Sequence, residues 1–249
     1  MYEDKGVTFS IVARCPSSGL LGVAVATAVP AVGSMCPFTR AKVGAASTQS
    51  WVNPYLALGV LEAIAGGQGA QAALEAALAE DEARELRQIG VVDHAGEASA
   101  FTGADCTQWC GQEIGDGFAV QGNMLTGPEV IDAMASTFRA SEGQKLDERL
   151  MRAMEAGDAA GGDRRGRQSA SLRVQGEEEY CALDLRVDEH PRPVTELRRV
   201  LEIARLQLVP FVEGMPKRGV KAGPAPEAVT AMLALAPPDR PGGGGSGSD

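Results

Sequence analysis

A threonine begins an alternating apolar pattern near the start of the chain, in the stretch Thr8-Phe-Ser-Ile-Val-Ala-Arg14. This period of two predicts a β-strand, in which Thr8 is an ordinary β-branched residue. If the residues before it are removed, Thr8 becomes a free N-terminus. Its α-amine, with a pKa of about 8, then accepts the proton of its own hydroxyl, directly or through a water molecule. Thr8 is therefore the first candidate for a catalytic nucleophile.

Other combinations of nucleophile and base have few candidates. The two histidines, His94 in a predicted hairpin turn and His190 beside a proline, offer little for a Ser-His-Asp or Cys-His arrangement. The five cysteines are odd in number and scattered, which is typical of reduced thiols rather than of a disulfide framework. Three of them, Cys15, Cys36 and Cys181, are the alternative candidates for a nucleophile.

The remaining cysteine pair, Cys106 and Cys110, does not predict a metal site. Cysteine-rich metal sites usually combine two such pairs, or one pair with nearby histidines, and the sequence has neither. We expect neither a metal nor an organic cofactor.

The charge and hydropathy of the chain argue against two kinds of partner. The 249 residues carry a formal net charge of -10 at pH 7, whereas nucleic-acid binding needs a clustered excess of Lys and Arg. No apolar run approaches the roughly 20 residues that cross a bilayer, and no signal-peptide core follows the first residues. We expect a cytoplasmic protein with no nucleic-acid or membrane partner.

Periods of two and of about 3.6 residues alternate along the chain and predict its strands and helices. Predicted strands span residues 8–13, 22–27, 43–48, 89–93, 98–102, 118–121, 169–174 and 180–187. Predicted helices span residues 54–65, 70–79, 128–138, 145–155 and 194–208. Hairpins at the beginning, middle and end, with helix pairs between them, do not alternate as βαβ units do. The order predicts an α+β fold, a four-layer αββα sandwich of two mostly antiparallel sheets flanked by helices.

The breaks in this pattern set the domain organisation. No linker interrupts the elements between residues 8 and 210, which we interpret as one domain. Residues 1–7 are interpreted as a leader or a mis-annotated start. Residues 211–249 are rich in Pro, Gly and Ser, which is typical of a flexible tail.

Five ordered blocks between residues 7 and 200 resemble the signature blocks of domain-of-unknown-function family 1028. The blocks are Thr8-Phe-Ser-Ile-Val-Ala-Arg, Gly22-Val-Ala-Val-Ala, Gly44-Ala-Ala-Ser-Thr-Gln, Gly115-Asp-Gly-Phe-Ala-Val-Gln-Gly-Asn and Gly161-Gly-Asp-Arg-Arg-Gly-Arg-Gln-Ser-Ala. The resemblance implies an N-terminal-nucleophile-hydrolase-like (Ntn-hydrolase-like) fold, in agreement with the αββα order. It also implies that the opening threonine commonly follows the initiator methionine directly, so that removal of Met exposes it.

In this chain seven residues precede the threonine, and two explanations make its amine available. In the first explanation, Val7 is the true start, since one valine codon also serves bacteria for initiation. The methionine placed there is then removed before the small Thr8. Alternatively, the chain cleaves itself between Val7 and Thr8, as several Ntn hydrolases do. We favour the first explanation as a hypothesis.

Two residues of the last block are candidates for holding the amine of Thr8. Asp163 and Ser169 flank a predicted turn, a location that resembles the aspartate and serine next to the nucleophile in proteasome-like members of the superfamily. The resemblance implies that Asp163 orients the threonine ammonium and that Ser169 relays hydrogen bonds.

Neutral amides complete the set of candidate site residues. At predicted strand ends they bind a substrate or an oxyanion without adding charge. Asn123 is assigned to the catalytic group and Gln49 to substrate binding. Asn53, which also suits a helix cap, and Arg165, a candidate anchor for an anionic substrate, are further substrate-binding predictions.

These residues favour a hydrolase of an amide or related C–N bond that works through an acyl-threonine intermediate. The resemblance implies frequent genomic association with imine-deaminase proteins, which suits a small nitrogenous metabolite as substrate. Two alternatives stay open: a cysteine-dependent hydrolase, and a catalytically silent Ntn-like scaffold that binds partners through its last helix. The apolar last helix also makes a homodimer an expectation.

Overall fold

The computed structural model describes residues 8–247, which contain ten strands and six α-helices. The strands are β1 (Thr8–Arg14), β2 (Leu21–Thr27), β3 (Pro37–Arg40), β4 (Gly44–Ser50), β5 (Arg87–Asp93), β6 (Ala98–Thr102), β7 (Gly111–Gly115), β8 (Phe118–Asn123), β9 (Ser169–Gln175) and β10 (Cys181–Val187). The helices are α1 (Pro54–Ala65), α2 (Ala70–Ala79), α3 (Glu129–Ala140), α4 (Leu146–Ala159), α5 (Pro193–Glu213) and α6 (Glu227–Leu233). The predicted leader, residues 1–7, lies outside the described residues.

Two antiparallel sheets are stacked at the centre of the molecule. Sheet A has the strand order β10-β9-β2-β1-β8-β7, and sheet B has the order β3-β4-β5-β6. Helices α3, α4 and α5 cover the outer face of sheet A, and α1 and α2 cover the outer face of sheet B. The predicted α+β class and its αββα layering are confirmed.

Strand β1 shows how the sequence places its side chains in two layers. Because side chains alternate along a strand, Phe9 and Ile11 join the core beneath the helices, whereas Ser10 and Val12 face sheet B. Both faces of β1 are covered, and all residues from 8 to 13 are buried. The strand is therefore fixed by packing on both sides.

One half of the space between the sheets is filled by apolar side chains. This apolar half consists of Val12, Leu21, Val23, Ala45, Val92 and Ala119, each at most 1% exposed. It lies toward the hairpin that joins β1 to β2, because Val12 pairs with Val23 in the register of that hairpin. Hydrophobic burial holds the sheets together here.

The helix layer over sheet A packs closely on β2. A Cβ atom at Gly22 would lie 2.5 Å from Leu150 Cδ1, so the absence of a side chain lets α4 approach the strand. Leu150 is fully buried. Helix α5 docks against α4 through ion pairs, in which Arg198 contacts Glu148 and Glu155.

The structure adds elements that the sequence pattern did not predict. Strand β3 is one of the two edge strands of sheet B, and β7 is one of the two edge strands of sheet A. Helix α5 continues to Glu213, so the predicted boundary at residue 210 falls inside it, and α6 lies within the segment predicted as a tail. Between residues 8 and 247, no helix combines the length and the apolar character that a membrane span requires.

Candidate functional site

Thr8 lies at the beginning of β1, between two neighbouring strand ends. It pairs with Thr27 at the end of β2 and with Asn123 at the end of β8. Its hydroxyl Oγ1 donates to Thr27 Oγ1 at 3.2 Å, and the residue is 4% exposed in the full chain. The strand order of sheet A therefore brings two hydroxyls and an amide together at one edge of the inter-sheet space.

Polar side chains fill this half of the space between the sheets, in contrast to the apolar half. The polar half consists of Thr8, Ser10, Gln49, Gln88, Gln121 and Asn123, each at most 4% exposed. Because buried amides and hydroxyls are costly unless they are hydrogen-bonded, their mutual contacts decide whether this half is stable.

Gln49 connects sheet B directly to Thr8. Its Nε2 donates to the carbonyl oxygen of Thr8 at 3.2 Å and to Gln88 Oε1 at 2.8 Å. Its Oε1 accepts from the hydroxyl of Ser10, which in turn accepts from Gln121 Nε2 at 2.7 Å. The Gln49 side chain thus fixes the backbone of the candidate nucleophile; its predicted substrate-binding role stays a prediction.

Gln88 on β5 is the centre of this network. Its Nε2 donates to the carbonyl oxygens of Gly122 at 2.8 Å and Gly111 at 3.2 Å, both in sheet A. Two backbone carbonyls accept from the same nitrogen, which fixes the orientation of the amide and leaves Oε1 as an acceptor. That oxygen accepts from both Gln49 and Asn123.

The fixed orientation of Gln88 determines what Asn123 offers to a ligand. Asn123 Nδ2 donates to Gln88 Oε1 at 2.8 Å, so its Oδ1 is directed elsewhere and has no hydrogen-bond partner among residues 8–247. A carbonyl oxygen accepts a hydrogen bond and does not stabilise an oxyanion. This oxygen therefore suits a donor, such as an ammonium or an amide N–H.

Asp163 lies beside the Thr27 end of β2. Its Oδ2 accepts from the backbone N–H of Ala28 at 3.1 Å, and its Oδ1 accepts from the backbone N–H of Arg165 at 2.8 Å. Burial raises the pKa of this carboxyl, and the hydrogen bonds from Arg165 and Ala28 oppose the increase. Asp163 is thus a buried acid that is hydrogen-bonded to Ala28, the residue after Thr27, whose hydroxyl contacts Thr8.

Arg165 and Ser169 organise the same region. Arg165 Nε lies 3.7 Å from Asp163 Oδ1, so the guanidinium partly balances the buried acid. The Ser169 hydroxyl donates to the carbonyl oxygen of Val29 at 2.7 Å and accepts from the N–H of Val32 at 3.0 Å. A hydroxyl has one proton to donate, and Ser169 donates it to Val29. In this arrangement Ser169 holds the loop after β2. Its relay role stays a prediction.

Asn53 forms its hydrogen bonds outside the Thr8 network. Its Oδ1 accepts from the backbone N–H of Tyr55 at 3.1 Å and caps α1, as expected of an Asn before a helix. Its Nδ2 donates to Asp81 Oδ2 at 2.9 Å. Asn53 lines a cavity of about 480 Å³ between α1 and α2, together with Tyr55 and Glu80.

The candidate thiols have contrasting environments. Burial raises the pKa of Cys36 to about 12 and also raises the pKa of Cys181, so both are poor nucleophiles. Burial acts in the same direction on Cys15, but hydrogen bonds from Ser17 and Ser18 outweigh it and lower the pKa to about 7. Cys15 follows the opposite end of β1 from Thr8.

Sequence patterns did not single out the centre of the network. Gln88 precedes the apolar run 89–93 and was not included in the predicted strand, although it is the second residue of β5. Ser10 and Gln121 lie inside predicted strands, where a polar residue between apolar ones is the usual sign of a solvent-facing side. Sheet B covers that side of sheet A, so these polar side chains are buried and do not face solvent.

No cluster of three or more His, Cys, Asp or Glu side chains within residues 8–247 is arranged to hold a metal ion. The groups described above around Thr8 are hydroxyls, amides and one buried acid. These groups donate and accept protons and hydrogen bonds, which suits acyl transfer by a hydroxyl nucleophile.

Comparison with known families agrees with the predicted resemblance. The model of the Family of unknown function (DUF1028) matches residues 8–197, which is more than half of the chain. The chain belongs to the DUF1028 family. The match to this family begins at Thr8, the first residue of β1.

Solved structures were also compared with this DUF1028 protein. It is similar to the crystal structure of protein SPO2555 from Silicibacter pomeroyi, also described as DUF1028, with 28% identity and a TM-score of 0.82 over 89% of this chain and 96% of that chain. It also aligns with Anbu (ancestral beta-subunit) from Yersinia bercovieri, with 10% identity and a TM-score of 0.38 over 85% of this chain and 100% of that chain. A search of curated proteins finds no match.

Proposed function

We propose that this DUF1028 protein is an Ntn hydrolase that cleaves an amide or related C–N bond in a small molecule, with Thr8 as the nucleophile. One observation carries the proposal: Thr8 begins a buried central strand, with its hydroxyl against Thr27 and its strand partner Asn123 beside it. The αββα layering and the start of the family match at Thr8 support it.

The proposed reaction begins when Thr8 is the first residue of the mature chain. Its α-amine takes the proton of Oγ1, the oxygen bonds to the substrate carbonyl carbon, and the C–N bond breaks as the leaving nitrogen takes the proton from the ammonium. A water molecule, deprotonated by the same amine, then attacks the acyl ester. As the ester C–O bond breaks, Thr8 Oγ1 takes back the proton from the ammonium, so the products are the acid, the released amine or ammonia and the regenerated threonine.

Neighbouring groups support this role of Thr8. The buried carboxyl of Asp163, next to Ala28, favours a positive charge nearby, which suits an ammonium at residue 8. Asn123 Oδ1 is an acceptor for the same ammonium or for a substrate N–H. Gln49 holds the Thr8 carbonyl and so fixes the direction of the strand. Arg165 stays the proposed anchor for an anionic group.

The test is a turnover screen of the mature protein with small primary amides and ureas, with released ammonia as the readout. Thr8→Ala is expected to abolish turnover while the free energy of unfolding falls by only about 1 kcal/mol, and Thr8→Ser is expected to keep part of the rate. Thr48→Ala is the matched control, since it removes another buried threonine hydroxyl, on β4.

Three outcomes would contradict the proposal. Turnover by Thr8→Ala at the wild-type rate would exclude the threonine as the nucleophile. Loss of turnover after alkylation of the protein by iodoacetamide would favour the cysteine-dependent alternative. A Thr8→Ala protein that keeps both its fold and its cellular role would instead support the silent scaffold.

A further inference from the structure

The loop between β6 and β7 brings two cysteines, Cys106 and Cys110, into contact. The thiol of Cys110 donates a hydrogen bond to the carbonyl oxygen of Cys106, with 3.6 Å between sulfur and oxygen. Because a carbonyl oxygen lies at most about 2.7 Å from its own Cα, the Cys110 sulfur lies within about 6 Å of the Cys106 Cα. The chain therefore turns back on itself between the two cysteines.

This arrangement suits a disulfide between the two residues. A disulfide joins Cα atoms that are about 4.4–6.8 Å apart, with the two sulfurs about 2 Å from each other. The Cys110 sulfur already lies against the backbone of Cys106. The change that remains is a rotation of the Cys106 side chain toward Cys110, together with a small shift of the loop.

The two thiols differ in their access to solvent. Cys110 is half-buried and lies two residues after the exposed Gln108. Cys106 is 4% exposed, and its thiol donates to the carbonyl oxygen of Arg87 at 3.3 Å. A reagent from solution therefore meets Cys110 first, and Cys106 is placed to react with the Cys110 sulfur afterwards. These are the positions of an attacking thiol and a resolving thiol.

We propose that Cys106 and Cys110 are a dithiol modification site, which small disulfides in solution oxidise to an intramolecular disulfide. The Cys110 thiolate attacks one sulfur of the small disulfide, a mixed disulfide forms and one thiolate departs. The Cys106 thiolate then attacks the Cys110 sulfur, the protein disulfide forms and the second thiolate departs. The two cysteines lose two electrons and two protons, and the small disulfide becomes two thiols. An excess of a small thiol reverses the reaction.

The same loop holds the segment that follows β8, whose last residue is the strand partner of Thr8. The carbonyl oxygen of Thr107 accepts from the N–H of Met124 at 2.8 Å. The carbonyl oxygen of Trp109 accepts from the N–H of Leu125 at 2.9 Å. Both carbonyls lie between the two cysteines, inside the ring that the disulfide closes. Closing this ring reorients them and weakens both hydrogen bonds, so oxidation is coupled to the backbone beside Thr8.

The disulfide itself is independent of the proposed hydrolase function, because it forms whether or not Thr8 is a nucleophile. Only an effect of oxidation on turnover rests on that function. The experiments below therefore measure peptide mass and backbone exchange, so that failure of the dithiol site is distinguishable from failure of the Thr8 chemistry.

The test is oxidation of the full-length reduced protein by glutathione disulfide, followed by alkylation with iodoacetamide in denaturant and peptide mass spectrometry. Burial and the neighbouring Cys106 raise the pKa of Cys110, so the incubation is carried out at about pH 8.5 to increase the thiolate fraction. Trypsin leaves both residues in the peptide 88–139, which contains no other cysteine. We expect this peptide to lose two hydrogens and to resist alkylation, while the other three cysteines are alkylated.

Single substitutions separate the roles of the two thiols. In Cys106→Ser the resolving thiol is absent, so Cys110 is expected to accumulate as the mixed disulfide with glutathione. In Cys110→Ser neither product is expected, because Cys106 is buried. Cys181→Ser removes another half-buried thiol and is the matched control, in which the wild-type disulfide is expected. Cys110 is only half-buried, so its variant tests the proposal even if Cys106→Ser fails to fold.

Amide hydrogen exchange measures the coupling to the segment after β8. Oxidation is expected to accelerate exchange at Met124 and Leu125 by about fivefold or more, and to leave Val23 in the apolar half unchanged. Unchanged exchange at Met124 and Leu125 in the oxidised protein would overturn the coupling. A stable glutathione adduct at Cys110 of the wild type, a disulfide between two chains, or full alkylation of both thiols would overturn the dithiol site.

Discussion

The two halves of the inter-sheet layer are built from the same strands but held together by different interactions. Strand β1 contributes Val12 to the apolar half and Ser10 to the polar half, and β5 likewise contributes Val92 and Gln88. Hydrophobic burial is non-directional and tolerates small shifts, whereas a buried amide network requires fixed geometry. The fixed half surrounds Thr8.

This difference shows how neutral side chains can fix the backbone around Thr8 through hydrogen bonds. In the polar half, Gln88 joins β5 to the backbone of β7 and β8, and Gln49 joins β4 to the backbone of β1. The neutral groups fix the backbone and leave Asn123 Oδ1 as an acceptor. The apolar half needs only apolar side chains of suitable size, whereas the polar half needs particular amides at particular positions.

The largest expected effect is the loss of the amide at the centre of the polar half. Gln88→Leu removes the acceptor of Asn123 Nδ2, one of the acceptors of Gln49 Nε2 and a donor to the carbonyl of Gly122. Each unsatisfied buried group costs about 1–3 kcal/mol, so the free energy of unfolding is expected to fall by roughly 3–5 kcal/mol. Urea denaturation measures this loss.

The exposed Gln71 on α2 provides the control for that change. Gln71→Leu is expected to alter stability by less than about 0.5 kcal/mol, because surface substitutions away from buried networks have small effects. Equal losses in the two variants would mean that the polar half does not depend on its hydrogen bonds.

The reverse substitution tests the apolar half. Val12→Thr keeps the shape of the side chain but places a hydroxyl among apolar neighbours, and the expected cost is about 1–3 kcal/mol. Val220→Thr, at an exposed position, is the matched control. If Val12→Thr were neutral by urea denaturation, the layer would accept polar groups throughout and the distinction between its halves would be lost.

Acid titration distinguishes the contribution of the polar half to stability from that of the neighbouring Arg87–Asp81 ion pair. Arg87, adjacent to Gln88, donates to Asp81 at 2.8 Å, and this hydrogen bond lowers the pKa of Asp81 from 3.8 to about 2. The folded-state pKa is below the unfolded value, so the stabilisation is complete above about pH 4 and is lost as the pH falls toward 2. The expected loss is roughly 1–2 kcal/mol, after allowance for partial exposure.

Asp81→Asn is expected to remove this contribution at neutral pH and to flatten the stability profile between pH 4 and pH 2. The hydrogen bonds among Gln49, Gln88 and Asn123 involve no titratable group, so they contribute no slope in that range. Thermal unfolding of the wild type and of Asp81→Asn at a series of pH values measures the loss at neutral pH and the slope between pH 4 and pH 2. An unchanged slope in Asp81→Asn would show that another acid is responsible.

The smallest expected effect concerns Asn53, which lies apart from the Thr8 network. Asn53→Ala removes the cap of α1 and the hydrogen bond to Asp81, for an expected loss of about 1 kcal/mol. Asn53→Ser keeps a capping oxygen and is expected to recover part of it. Because the proposed reaction is centred on Thr8, turnover by folded Asn53→Ala is expected to match the wild type; an abolished rate would return Asn53 to the site.

Much of the fold was predictable because its central elements are strongly periodic. The predicted helices 54–65 and 70–79 coincide with α1 and α2. The unpredicted strands, β3 and β7, are edge strands, which are short and partly polar and so carry a weak alternating signal. Their sequences, Pro-Phe-Thr-Arg and Gly-Gln-Glu-Ile-Gly, contain a proline or flanking glycines that suggest loops.

The site was predictable only in part, because its contacts depend on register between sheets. Gln49 and Asn123 could be selected as neutral amides near strand ends, and both lie beside Thr8. That both bind the same oxygen of Gln88 follows from the stacking of two sheets, which a one-dimensional pattern does not contain. Similarly, the turn and cap signals around Ser169 and Asn53 are compatible with structural and catalytic roles alike.

The most direct test of the proposed Thr8 chemistry is the intact mass and N-terminal sequence of the protein produced from its full native locus. We expect a mature chain that begins with Thr8, whether through initiation at Val7 or through cleavage before Thr8. A mature chain that still begins at Met1 would contradict it, since Thr8 would then have no free amine to accept the proton from its hydroxyl.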